Sequence, residues 1–166
     1  MEVLTEVDEE RTRALLERDE FFWLDLHAPG EEAFARLGDL LALHPMAMED
    51  TREFGQRSKV DTYERHLLVV FYTARRTGGD DPVAEPIEVH VYVSGSFIVT
   101  VRQEECDLLD DLHGALVPED KETEDYLVYR ILDTLTDAWY PVINAIEAHV
   151  DDLEAEVFAR DRKSVV

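Results

Sequence analysis

The chain has 166 residues, of which 45% are apolar, with 39 acidic against 16 basic side chains and a formal net charge of −23. This length and apolar content describe one domain with a single substantial core and exclude a disordered chain. The negative field disfavours nucleic acid and anionic lipid as partners and favours cations, although a generic acidic surface accounts for the bulk charge equally well. The single cysteine, Cys106, excludes an internal disulfide and fits a reducing compartment. No run reaches the roughly 18 apolar residues that span a bilayer and no signal peptide opens the chain, so the expectation is a soluble, cytosolic protein.

Asp8 to Leu16 reads as a short amphipathic helix. Phe21 to Leu26 reads as a strand closed by the turn residues Pro29 and Gly30. Phe34, Leu37, Leu40 and Leu41 give Glu31–Leu43 a helical spacing, and Pro45 suits the first turn of the next short helix. From Lys59 the period changes. Val60, Tyr63 and Leu67–Tyr72 are strand-like, and Thr77–Pro82 is a polar loop. Ile87, Val89, Val91 and Val93 alternate with Glu88, His90 and Tyr92, which predicts a half-buried strand with one polar face. Ser94-Gly95-Ser96 then turns the chain into an antiparallel partner, Phe97–Val101. Cys106–Leu116 reads as a helix ended by Val117-Pro118. Thr123, with Glu124 and Asp125 in the first turn, opens another, marked by Leu127, Ile131, Leu132, Leu135 and Trp139. Pro141 kinks or restarts that helix. Beyond it Val142, Ile146, Val150, Leu153 and Val157 form the narrow stripe of a charged helix that packs on another helix.

Among residues with chemistry to offer, Glu49 and Asp50 are adjacent carboxylates near the end of a short helix. Magnesium takes carboxylate oxygens and keeps several waters, so one or two carboxylates suffice for a weak site. The plainer alternative makes them solvated helix-end residues, one capping and one paired with Arg52 or Arg57. Asp133 and Asp137 lie four apart on one helix face, where like charges cost about 0.2–0.5 kcal/mol unless a cation or Arg130 relieves them. Glu147, Asp151, Asp152, Glu154 and Glu156 read as a solvated face. Gln56, Arg57 and Lys59 have no Gly-rich cradle beside them, so they read as architecture at a helix-to-strand crossing rather than as an anion clamp.

The six histidines (His27, His44, His66, His90, His113, His149) show no zinc-site spacing, and His44 before Pro45 reads as a helix-entry residue. Ser94 and Ser96 carry no nucleophile-elbow motif, and Cys106 among Glu104, Glu105 and Asp107 has a raised pKa. The residues therefore indicate a protein that is not an enzyme.

His44-Pro45 followed by Glu49-Asp50, then Gln56-Arg57-Ser58-Lys59-Val60, resembles the cytosolic signature of the CorA-type divalent-cation transporter family, HP-x-x-x-ED then QR-x-KV. The segment Asp125–Pro141 is similar to the family's DYL-x-Y-x-x-x-D-x-x-x-D-x-Y/F pattern. Ser58 and Asp61 stand where the family usually has Pro and Glu. The resemblance runs from about Trp23 to Phe158.

The resemblance implies an α/β/α sandwich, a mixed sheet between helices, with a core over 1–122 and a long acidic helical segment over 123–166, truncated before the stalk and membrane helices. It implies an amino-terminal regulatory domain at the cytoplasmic face of the membrane, part of a homopentameric magnesium or cobalt channel. There, weakly bound magnesium bridges subunits. Asp50 is the expected ligand with Glu49 beside it, and Asp133 matches a position of a second, weaker site, where Asp137 is either a further ligand or a structural polar residue. Other copies of the chain and divalent cations are the expected partners, and nucleic acid is not. Three alternatives stand beside this reading: a zinc-transporting branch of the superfamily, an acidic metal-dependent hydrolase, and a scaffold without a channel. The hydrolase requires Glu49, Asp50 and Asp133 to converge.

Overall fold

A computed structural model of the chain describes residues 1–76, 84–115 and 124–164. The polar loop expected at Thr77–Pro82, the helix end at Val117-Pro118 and the helix start at Thr123 lie outside the described residues.

The elements run β1 (Glu2–Leu4), α1 (Glu9–Glu17), β2 (Phe22–His27), α2 (Glu31–Leu41), α3 (Pro45–Arg52), β3 (Lys59–Thr62), β4 (Leu67–Arg76), β5 (Ala84–Val93), β6 (Phe97–Arg102), α4 (Asp107–Ala115), α5 (Glu124–Asp137) and α6 (Trp139–Ser164). The strands form one mixed sheet in the order β1-β2-β6-β5-β4-β3. β1, β2 and β6 are parallel to one another, and β6, β5, β4 and β3 are antiparallel in succession.

Local chemistry sets the helix ends. Asp8 caps α1 by accepting from the Arg11 amide at 2.9 Å, and α2 stops where Ala42 turns left-handed at φ 50°. The interruption between α5 and α6 falls at residue 138, and Pro141 sits in the first turn of α6, so this proline restarts a helix.

Two apolar clusters lie on the two faces of the sheet. Leu15 of α1, Phe34, Leu37 and Leu41 of α2, and Ala47 and Met48 of α3 pack on Leu24, Val70, Val99 and Val101. Leu109 and Leu112 of α4 and Leu127, Ile131 and Leu135 of α5 pack on Trp23, Val89, Val91 and Ile98. The architecture is therefore an α/β/α sandwich. The Thr73 hydroxyl donates to the Leu135 carbonyl at 2.7 Å and the Trp139 indole to the Tyr72 carbonyl at 3.0 Å, so β4 holds both α5 and the root of α6.

Further along α6, Ile143, Ile146, Val150, Leu153 and Val157 are 47–64% exposed. No described helix is long and apolar enough to cross a membrane.

Two sequence expectations change. β1 is an edge strand of three residues, too short to announce itself by pattern. The other change is in β5, whose alternate face is not solvated: Glu88, His90 and Tyr92 are 6%, 0% and 0% exposed, because α3 and the following turn cover them. Alternation identifies which residues share a face, and only tertiary packing decides whether that face meets water.

Candidate cation site on helix α3

His44 precedes α3 with extended backbone (φ −66°, ψ 134°), and its Nδ1 accepts from the Met46 amide at 3.2 Å. Pro45 takes the first helical position, where a missing N–H costs nothing. Ala47, Met48 and Thr51 face the sheet, Glu49 is exposed, and Asp50 is half-buried at the solvent edge. Arg52 at the C-terminal end bonds Glu31 of α2 at 2.8 Å, favourably placed for the helix dipole.

The Asp50 carboxylate is engaged. Lys59 Nζ stands 2.7 Å from Asp50 Oδ2 and 2.9 Å from Asp61 Oδ2. Hydrogen bonding to Asp50, then to Asp61, pulls the Lys59 pKa well above its ordinary value. Asp50 thus pairs with Lys59, rather than with the Arg52 or Arg57 that the plain reading of the sequence offered.

Beneath α3 lies a buried polar network. Thr51 Oγ1 is 2.8 Å from His90 Nδ1 and 2.7 Å from the Tyr92 hydroxyl, which donates to the Ala47 carbonyl at 2.8 Å. His90 Nε2 meets Glu88 Oε1 at 2.7 Å, and Phe54 stacks on the His90 ring. Glu88 also accepts from the amides of Gly55 and Gln56. Burial raises the Glu88 pKa, but the bonds from His90, Gly55, Tyr72 and Gln56 outweigh it and the net shift is downward. Burial also pushes His90 below its ordinary value, against the pull of Glu88. Tyr92 is driven upward by burial. The Gln56–Lys59 stretch acts as architecture, since Gln56 works through its backbone and Lys59 clamps two carboxylates.

Asp133 and Asp137 sit on α5, across the sheet from α3. Asp133 is half-buried and Asp137 exposed, and the negative charge of Asp133 raises the Tyr129 hydroxyl above its usual range. Glu49 and Asp50 are therefore neighbours on one layer, and Asp133 and Asp137 on the other. The convergence of Glu49, Asp50 and Asp133 that a metal-dependent hydrolase requires does not occur.

A third acidic group was not anticipated. Asp25 of β2 is buried at 3% exposure and accepts from the Thr100 hydroxyl and the Arg102 guanidinium, while Arg102 also reaches Asp110 at 2.7 Å. His113 Nε2 lies 3.2 Å from Asp25 Oδ2. Asp25, Asp110 and His113 have the ligand types of a metal site within 4.8 Å, but the Arg102 guanidinium bonds both carboxylates as the resident cation. Burial raises the Asp25 pKa, yet His113, Arg102 and Thr100 together bring it below the usual carboxylate value. The available sequence signal is one charged residue inside the Phe21–Leu26 run and another directly after Phe97–Val101, because a buried charge demands a partner.

A family described as "CorA-like Mg2+ transporter protein" matches residues 18–166. The chain belongs to this CorA-like family. Among its curated relatives, the magnesium transporter ALR1 of Saccharomyces cerevisiae is 29% identical over 152 residues, covering 84% of this chain and 17% of the yeast protein. The cobalt/magnesium transport protein CorA of Thermotoga maritima is 25% identical over 137 residues, covering 79% of this chain and 38% of that protein. The chain thus spans well under half the length of either CorA-like relative. The soluble domain of CorA from Methanocaldococcus jannaschii superposes with a TM-score of 0.65 at 16% identity, covering 82% of this chain and 55% of that one. At that identity the likeness establishes the CorA fold alone.

Proposed function

We propose that this CorA-family domain senses divalent cations for a magnesium or cobalt transporter, and that Asp50 is its principal ligand. The observation that supports the reading is the half-exposed Asp50 carboxylate, held at the edge of a firmly anchored helix within the family signature. Magnesium there would keep most of its water and bridge Asp50 to a carboxylate of a neighbouring copy, giving a weak regulatory site at a subunit interface. Glu49 is a neighbour that adds charge, and Asp133 with Asp137 forms a second, weaker site on the opposite layer. The role is regulatory rather than catalytic, and it belongs at the cytoplasmic face of a membrane, where self-association of several copies completes the site.

Thermal melting with and without about 10 mM magnesium tests the reading, since a ligand at ten times its Kd adds roughly 1.4 kcal/mol. The expected result is an upward shift for the natural chain that is lost in Asp50→Ala. An unshifted natural chain, or an equal shift in the variant, removes Asp50 as the site.

A further inference from the structure

Three rings stack at the entrance to α3, and a fourth, Tyr92, meets the last of them at a tilt of 47°. His44 lies 4.6 Å from Tyr63, Tyr63 lies 5.1 Å from His66, and His66 lies 5.7 Å from Tyr92, measured between ring centroids. The two imidazoles in this column both depend on being neutral, for different reasons. His44 caps α3 with a bare Nδ1 lone pair, which an imidazolium does not have. An imidazolium there would also face the positive end of the helix dipole. His66 is only 5% exposed, and neither of its ring nitrogens has a hydrogen-bond partner among the described residues. A proton added to His66 would place a buried charge with no acceptor.

We propose that His44 and His66 form a proton-released clasp: protonation takes up the lone pair that caps α3 and puts a charge on the buried imidazole, freeing the N-terminal end of α3 from the sheet. The groups facing His66 are the Tyr63 and Tyr92 rings, with His44 beyond Tyr63 acting to repel a second positive charge. Asp50, Asp61 and Lys59 act on Tyr63 from the side, and no carboxylate bonds either His66 nitrogen. His90, linked to Tyr92 through Thr51, differs because Glu88 already waits at its Nε2. Burial lowers the His66 pKa, which agrees with a clasp closed at neutral pH. Because α3 carries Asp50, acid would loosen the cation ligand too; that consequence, though not the clasp, rests on the cation-sensing reading.

Residue-resolved amide exchange of the 166-residue chain, without divalent cation, tests the clasp at pH 7.5 and pH 5.5 after correction for intrinsic rates. Loss of one helix cap predicts that protection at Met46 and Met48 falls about fivefold or more at the lower pH, beyond any change in α5. Unchanged protection, or an equal fall in α5, overturns the proposal. In the double variant His44→Asp/His66→Phe, a carboxylate caps at both pH values and a non-titrating ring fills the column. Its α3 protection is expected to be independent of pH, and a fall equal to that of the natural chain overturns the proposal in favour of His90. If the double variant does not fold, His44→Asp alone decides: the pH effect must shrink, and an undiminished effect overturns the clasp. No cation enters these measurements, so the clasp and the cation site fail separately.

Discussion

Glu88 and His90, two residues apart on β5, form a buried carboxylate–imidazole pair with 2.7 Å between Oε1 and Nε2, and through Thr51 this pair underlies the helix that carries Asp50. Truncating Glu88→Ala strands the amides of Gly55 and Gln56 and the His90 ring together. Each buried donor left unsatisfied costs about 1–3 kcal/mol, so urea denaturation should show a large drop in midpoint at unchanged slope. Glu88→Gln, which keeps the shape and one acceptor, should lose less.

Stability should fall on acidification in two windows. His66 and His90 have folded pKa values below the ordinary imidazole value, so their contribution is fully present above about pH 6.5 and is lost as pH drops through the folded values. Glu88 and Asp25, also depressed, contribute above about pH 4 and lose that contribution as pH falls further. Urea midpoints measured from pH 7.5 downward should decline first below 6.5 and again below 4. A flat profile between 7.5 and 5 contradicts the histidine assignment.

Arg102 holds Asp25 in the interior, so Arg102→Met should destabilise by about 3–5 kcal/mol by leaving a buried carboxylate unpaired. The double variant Asp25→Asn/Arg102→Met should recover a substantial part of that loss. Strict additivity of the two single changes would show that the residues do not act as a pair.

Gly55 has φ +84°, and an added Cβ would meet nothing within 4 Å. Gly55→Ala therefore isolates backbone strain, and a loss of about 1 kcal/mol is expected in melting, with the Glu88 bond to this amide weakened.

Lys59 bridges Asp50 and Asp61 near the surface, where its net contribution to stability is about 0–1 kcal/mol. Lys59→Met should leave melting nearly unchanged without magnesium. With magnesium it should enlarge the thermal shift, because the tethered ammonium no longer competes for Asp50. A shift no larger than that of the natural chain counts against Asp50 as the ligand.

Features with local causes were legible in the sequence. The helix beginning at Asp8, the proline start of α3, the restart at Pro141 and the helical spacing of Phe34, Leu37 and Leu41 all come from residues within a turn or two of each other. The neutral roles of Gln56 and Lys59 were legible too, because no phosphate cradle accompanied them. The fate of the Glu88, His90 and Tyr92 face was not, since the cover comes from Thr51 and Phe54, more than thirty residues earlier. His66 illustrates the same limit: its burial depends on Tyr63 and Tyr92, brought together by strand pairing. The raised pKa of Cys106 comes chiefly from burial, which its sequence neighbours Glu104, Glu105 and Asp107 do not reveal.

The indole of Trp139, bonded to the Tyr72 carbonyl, fixes one end of a helix whose 26 residues extend about 39 Å at about 1.5 Å per residue. Mechanically α6 is a cantilever: a sideways push near its far end turns about Trp139 with the full length of the helix as lever arm. The torque arrives at β4, the strand paired with both β3 and β5, and so at the two strands carrying Lys59 and Glu88.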